Sequence, residues 1–349
     1  MKLTRALGRG DAAAGTETIM SDATVAEATA VEAAVAGTAV ETPANGRGPV
    51  DRAAAVAAAP AAVSVPRPRG RRLTRPADDC KPEGLLSGKN ALVFGVANDH
   101  SIAWGIAKAL YDQGASVGFS SMAQLIKRRV RPLAASIGST FVEGCDVRDD
   151  DDLKHVFERY AAKEGQLDIL VHAVAFAERE DLEGRFSDVS RAGFHTAMDI
   201  SVYSLIAMAR EARPYMKPGS SILTMTYYAA EKVVPNYNVM GIAKAALEAT
   251  TRYLAADFGP SGIRVNAISA GPVRTLSAHG ISGFRTMHAA FKDVTPLRSH
   301  ITIEDVAGTA VFLSSSLASQ TTGEVIYVDG GFNILAMPVM GEDEGGQPG

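Results

Sequence analysis

Tyr227, Tyr237 and Lys244 are the residues of this chain whose types and spacing could do chemistry together. The segment reads Tyr237-Asn-Val-Met-Gly-Ile-Ala-Lys244, and Tyr227 ends an apolar run upstream of it, Ser221-Ile-Leu-Thr-Met-Thr-Tyr227. Seven residues of α-helix turn through about 700°, roughly 20° short of two full turns. A helix across this segment therefore sets the phenol and the ammonium on one face. A phenol so held can donate to an oxygen on which charge develops, and it acts mainly in the transition state, where that charge exists. The ammonium can hold a cofactor in register and favour polarisation of the phenol. A tyrosine and a lysine at this spacing also arise by chance in many helices, so the elements around them must decide.

Those elements are regular from Leu85 onward. Strands are expected at 90–94, 116–119, 140–145, 167–171, 221–225, 264–269 and 324–328. Helices are expected at 102–113, 123–137, 151–164, 194–212 and 239–258. Strands alternating with helices make βαβ units, a parallel sheet and right-handed crossovers. The expectation is one doubly wound α/β domain over 83–340, with no internal repeat. Before it, 1–82 is rich in Ala, Val, Thr, Gly and Pro, carries no aromatic residue before Arg75, and cannot bury enough surface to offset the entropy of ordering it. It is read as a disordered extension, and 341–349 as a flexible tail.

The first strand runs into Gly95-Val-Ala-Asn-Asp-His-Ser101-Ile102-Ala-Trp-Gly105. Glycine at a strand end lets the backbone turn beside a pyrophosphate, and a helix N-terminus offers that anion free N–H groups and a positive dipole end. The spacing is not G-x-G-x-x-G. The second strand ends in Ser120-Ser121-Met122 rather than in the acid that grips an NAD ribose. On these residues alone a plain turn explains the loop about as well as a nucleotide site.

The surroundings of the Tyr–Lys pair add what the loop lacks. Pro235-Asn236 before it, Asn-Val-Met-Gly-Ile-Ala within it and Asn266-Ala-Ile-Ser-Ala-Gly-Pro272 after it resemble the enoyl-acyl-carrier-protein reductases of bacterial fatty-acid synthesis, a branch of the short-chain dehydrogenase/reductase superfamily. Ordinary members of that superfamily set the lysine four residues after the tyrosine, where this chain has Gly241. The Gly-x5-Ser-Ile-x-aromatic-Gly loop matches the enoyl reductases as well. The resemblance covers 85–337 and implies a Rossmann-type fold, NADH as cofactor (NADPH stays open) and reduction of the trans-2 double bond of an acyl thioester carried on acyl carrier protein.

Residue by residue, it implies a hydrogen bond from Tyr237 to the thioester oxygen, Lys244 on the nicotinamide ribose and Tyr227 beside the acyl chain. Gly95, Ser101 and Ile102 would meet the phosphates, and Met122, Asp146 and Val147 the adenine end. Val174, Val273, Thr275, Leu276 and Ser277 would line the rest of the cofactor, and Ala177, Phe284 and Met287 the substrate. The stretch 276–291 mixes large apolar residues with small ones, as a lid that orders over a ligand does; from its pattern alone an ordinary surface helix is as good a reading. Ala175 and Ala229 stand where the family usually has glycine. A homotetramer is a family expectation. The alternatives are a carbonyl reductase, against which Gly241 speaks, a reductase of another enoyl substrate, and a non-catalytic NAD-binding regulator, against which Tyr237 and Lys244 speak.

Composition removes other classes. A formal net charge of -4 is not the basic footprint of a nucleic-acid binder. Cys80 and Cys145 make neither a disulfide framework nor a metal site, and suit a reducing cytoplasm. No apolar run reaches the roughly 18 residues of a membrane span. The N-terminus breaks before an apolar signal region forms, and Asp11, Glu17, Asp22, Glu27, Glu32 and Glu41 oppose a transit peptide. The remaining conspicuous residues have plain explanations: His172 as a packed histidine, Asp149 to Asp152 as a capped helix start, Trp104 as a core anchor, Asp99 and His100 as turn residues.

Overall fold

A computed structural model of the protein describes residues 84–275 and 283–337. The extension 1–82, the tail 341–349 and the site candidates Leu276 and Ser277 lie outside the described residues. Among those described, β1 (Asn90–Phe94), β2 (Ser116–Ser121), β3 (Val142–Gly144), β4 (Leu167–His172), β5 (Met216–Thr226), β6 (Arg264–Ala270) and β7 (Val325–Val328) form one parallel sheet. The order is β3-β2-β1-β4-β5-β6-β7. The third strand is shorter than expected and the fifth longer.

The strands are apolar almost throughout because both faces are covered. In β1, Leu92 and Phe94 enter one apolar cluster while Ala91 and Val93 enter the other. The second cluster is closed by α1 (Ile102–Asp112), by α2 (Ala123–Leu125) with α3 (Arg131–Ser136), and by α9 (Ile303–Ser314). The first is closed by α4 (Asp150–Glu164), α5 (Arg191–Met198) with α6 (Ser204–Ala212), and α7 (Asn238–Phe258). Two helices read as continuous contain π turns, Ile126–Val130 between α2 and α3 and Asp199–Tyr203 between α5 and α6. Asp149 caps α4 by accepting from the N–H groups of Asp151 and Asp152, as its sequence predicts. Trp104 is only half-buried, its ring 6.1 Å from that of Phe119, so it borders the core rather than anchoring it.

Helix α9 was not anticipated, and its start is strongly specified. Thr302 and Asp305 form a reciprocal capping box, which satisfies two otherwise orphaned N–H groups. It explains Gly105: a Cβ there would lie 1.8 Å from Ile303 Cγ2. The glycine lets the first helix and this late one meet at backbone distance.

Because the sheet is parallel, β1, β4, β5 and β6 all end on one edge. The order runs outward from β1 in one direction to β2 and β3 and in the other to β4, so a crevice opens above β1 and β4, where such folds bind ligands.

Candidate active site

Gly95 leaves β1 with φ +95°, and a Cβ there would lie 2.0 Å from the Ala173 carbonyl oxygen. Only glycine brings the two strand ends this close. The loop then folds on itself: Asn98 Oδ1 accepts from the His100 N–H, and Ser101 Oγ donates to the Asn98 carbonyl. Asp99 and His100 stay exposed, in agreement with a turn role. Ser101 is the N-cap of α1, accepting from the Trp104 N–H at 3.3 Å, and no acid occupies the first turn. The positive end of that helix dipole is left open to an anion from outside. Ile102 is half-buried behind it.

At the end of β2, Ser121 Oγ donates to the Val96 carbonyl at 2.9 Å, tying the second strand to this loop. Met122 follows, 44% exposed. Asp146, after β3, is exposed and forked by Arg148, whose guanidinium holds the carboxyl below its ordinary range. Val147 is half-buried against the first apolar cluster.

The tyrosines and the lysine come together at the end of β5. Asn236 has φ +59°, a left-handed conformation that asparagine tolerates better than most residues. It turns the chain into α7, and Tyr237 is the N-cap residue rather than a member of the helix, with φ −123° and ψ 15°. The angular arithmetic made from the sequence therefore begins one residue too early. The reason is local: the left-handed residue before Tyr237 holds it out of helical geometry, although its carbonyl still accepts from Gly241 N–H at 2.7 Å. Tyr237 and Lys244 are nonetheless both buried, 1% and 4% exposed.

The Tyr237 hydroxyl is buried and has no hydrogen-bond partner among the described residues. Burial pushes its pKa well up, so it is a protonated donor that meets no acceptor among the described residues. The Tyr227 ring meets it edge-on, centroids 5.2 Å apart and planes at 67°. Burial and the neighbouring Tyr237 and Asp329 raise Tyr227 too. Lys244 Nζ donates to the Met225 carbonyl at 2.9 Å, and burial lowers its pKa to about 8 while Glu248 opposes the fall. No bond joins it to the phenol, so polarisation of Tyr237 by the lysine is not part of this arrangement.

Gly241 leaves little room for the side chain that ordinary dehydrogenases carry at this position. A Cβ there would lie 3.2 Å from the Ala229 carbonyl oxygen, tighter than most real contacts. Ala229 is buried and Ala175 half-buried, both against the cluster that contains Tyr237.

His172 ends β4 and is fully buried. Its Nδ1 lies 2.9 Å from Thr224 Oγ1 and its Nε2 2.8 Å from Ser204 Oγ. Ser204 donates its single proton to the Ile200 carbonyl, so it accepts from the imidazole, which carries its proton on Nε2 and accepts from Thr224 at Nδ1. Burial and the charge of Lys244 push its pKa down to about 3. It is a neutral packed histidine, as its position after a buried strand predicts.

The substrate candidates gather on the same side. Ala177, Phe284 and Met287 are buried in the cluster with Tyr237, and Val174 and Tyr227 pack against it. Phe284 and Met287 sit on α8 (Phe284–Val294), which begins later and ends later than the stretch read from sequence. Phe284, Met287, His288 and Phe291 form its buried stripe, an i, i+3, i+4, i+7 pattern, so it is a packed helix rather than a marginal one. Val273 and Thr275 are buried after β6. The sequence reading missed Glu248 and Thr226, which bond to each other at 2.7 Å beside Lys244; the four-residue step from Lys244 is the signal that could have found them.

This geometry suits a dinucleotide: a glycine-only turn, an open helix N-terminus, a buried ammonium and a partnerless phenol along one edge of the sheet. Among the described residues no helix is long and apolar enough to cross a membrane, and no cluster of ligating side chains could hold a metal.

The family model described as enoyl-(acyl carrier protein) reductase matches residues 95–333. The chain belongs to that family. Enoyl-[acyl-carrier-protein] reductase [NADH] FabI of Aquifex aeolicus is 52% identical over 262 residues, 75% of this chain and 96% of the relative. Enoyl-[acyl-carrier-protein] reductase [NADH] 2 of Rhizobium meliloti is 48% identical over 257 residues, 74% of this chain and 96% of its own length. The crystal structure of the Anaplasma phagocytophilum enoyl reductase in complex with NAD superimposes with a TM-score of 0.72 at 48% identity, covering 75% of this chain and all of that one.

Proposed function

We infer that this enoyl-acyl-carrier-protein reductase uses NADH to saturate the trans-2 double bond of acyl thioesters in fatty-acid synthesis. The observation that carries the reading is the buried phenol of Tyr237, without a hydrogen-bond partner among the described residues, beside Tyr227, with Lys244 seven residues on and glycine at 241. When bound, the reduced nicotinamide supplies the hydride that the β carbon accepts.

Hydride addition at the β carbon moves an electron pair onto the thioester oxygen as an enolate, which returns that pair to the α carbon as the α carbon takes up a proton originating from solvent. Tyr237 donates a hydrogen bond to that oxygen, and its raised pKa keeps the proton in place to do so. The energy of that bond is realised chiefly in the transition state, because the bond strengthens as charge develops on the thioester oxygen. Lys244 holds the nicotinamide ribose, and its pKa of about 8 leaves it largely protonated at neutral pH. Gly95, Ser101 and Ile102 receive the phosphates, with Met122, Asp146 and Val147 at the adenine end. Val174, Val273, Thr275, Leu276 and Ser277 line the remainder. Tyr227, Ala177, Phe284 and Met287 wall the acyl chain, with the methyl groups of Ala175 and Ala229 narrowing the space.

The same reading makes acyl carrier protein the donor of substrate, the assembly a homotetramer and the compartment the cytoplasm. Arg285 and Lys292 on the exposed side of α8 suit an acidic carrier. The domain is taken as 83–340, the flanking segments as extensions.

The test is NADH oxidation by the purified protein with trans-2-enoyl and 3-ketoacyl thioesters side by side, together with Tyr237→Phe. Turnover of the enoyl substrate alone, sharply reduced in the variant, is expected. Turnover of the keto substrate instead overturns the reading, and NADH binding without any turnover favours a regulator.

A further inference from the structure

Glu248 takes no part in the chemistry above, yet it is a carboxylate only 7% exposed. It follows Lys244 by four residues on α7, one turn along the same face. Thr226 Oγ1 donates to Glu248 Oε1 at 2.7 Å. Thr226 is the last residue of β5, directly after Met225, whose carbonyl accepts from Lys244. Two side chains one turn apart on the helix thus grip two consecutive residues of the strand, one through a cation and one through an anion.

We propose that Glu248 is a positioning residue for Lys244: its bond to Thr226 fixes the strand carbonyl on which the ammonium rests, and it sets a buried carboxylate one helical turn from that ammonium. The proposal builds on the reading of Lys244 as the residue that holds NADH.

The charged and titratable groups around the pair can be followed element by element. On α7 itself, Arg252 lies one turn beyond Glu248 and favours its charged form. From β4, His172 faces Lys244 and is neutral. After β5 comes Glu231, which disfavours the charge on Glu248, and from β7 Tyr327, whose phenol donates to Glu231. Burial raises Glu248, while Thr226, Arg252 and Lys244 hold it down. Glu248 is the group whose charge opposes the loss of the lysine proton. A buried ammonium without a compensating carboxylate sheds its proton, and a neutral amine holds a ribose with weaker hydrogen bonds.

The measurement is the dissociation constant for NADH, from cofactor fluorescence, between about pH 6 and pH 9.5. For the unaltered protein, binding is full while Lys244 is protonated and weakens as pH rises through about 8. Glu248→Gln keeps an acceptor for Thr226 and removes the charge. Its limb should move to lower pH by about one unit, the low end of what a neighbouring opposite charge confers. Thr226→Val cuts the tether and keeps the charge, so binding should weaken at every pH with little movement of the limb. An unmoved limb in Glu248→Gln that unfolds in urea like the parent overturns the proposal, as does an equal shift in both variants. A parent protein that binds NADH and reduces enoyl thioesters but shows no limb between pH 7 and 9 also overturns it. A parent that does neither overturns the functional reading itself.

Discussion

Replacing Lys244 by methionine removes a charge from a place where water is excluded, in a residue that the functional reading makes indispensable. Burial brings the ammonium from 10.5 to about 8, and each unit of that fall corresponds to about 1.4 kcal/mol of penalty on the charged form. The protonated lysine therefore costs the fold about 3 kcal/mol. Methionine, similar in length and apolar, avoids this cost but forfeits the hydrogen bond to the Met225 carbonyl, worth about 1 kcal/mol. It also leaves the buried Glu248 without the positive charge that helps hold its carboxyl down, which offsets part of the gain. The net expectation at pH 7 is therefore a gain of about 1 kcal/mol, or about 2–4 °C in Tm for a domain of this size. The sign depends on pH. Since the folded pKa lies below the unfolded one, the unfolded chain holds more protons between about 8 and 10.5, and the parent gains stability across that window. The advantage of Lys244→Met is complete below about pH 8 and shrinks toward pH 10. Paired unfolding measurements at about pH 7 and pH 10, at one protein concentration, read this directly, with NADH affinity measured alongside. A variant less stable than the parent at pH 7, or an advantage that does not change with pH, refutes the reasoning.

Tyr237→Phe deletes a buried hydroxyl that has no partner among the described residues, so stability should hold or rise by about 1 kcal/mol. Enoyl turnover should fall about 10²- to 10³-fold, as when an oxyanion donor is lost; unfolding and steady-state kinetics separate the two effects. Gly105→Ala drives a methyl into Ile303 Cγ2 and should cost about 1–3 kcal/mol; a double-mutant cycle with Ile303→Ala, which removes that methyl, should recover part of it. His172→Leu should be destabilising at pH 7, because it breaks the bonds to Thr224 and Ser204. With a folded pKa near 3, His172 contributes stability that is present above its unfolded pKa of about 6.5 and lost as pH falls below it. The gap between parent and variant should accordingly narrow from pH 7 to pH 4 in a series of urea titrations.

The strands were legible because parallel strands buried on both faces are continuous apolar runs: Asn90–Phe94 matches its reading residue for residue. The π turns were not, since inserting one residue per turn changes neither the composition nor the apolar spacing enough to show. Helix α9 escaped notice although Thr302 and Asp305 spell out its start; with Gly308 and several small residues, its pattern lacks a strong stripe. In the site, the spacing singled out Tyr237 and Lys244, and both are buried. That Tyr237 precedes the helix depends on the left-handed Asn236, a backbone state that spacing does not encode. The bonds from Lys244 to Met225 and from Glu248 to Thr226 join residues about 20 positions apart, and only the packing of α7 on β5 brings them within reach.

The contact between Gly105 and Ile303 has a consequence for how the molecule is made. It closes the first helix of the nucleotide-binding half with a helix encoded about 200 residues later. At ribosomal rates of about 5–20 residues per second, α1 waits about 10–40 s for its covering partner. Throughout that interval the face of α1 at Gly105 lacks the Ile303 side chain that finally covers it. Selection on the early half of the chain thus includes tolerance of a nascent state that the finished protein never revisits, and a stop codon before Ile303 should yield an insoluble fragment even though every residue of the tyrosine–lysine site has been translated.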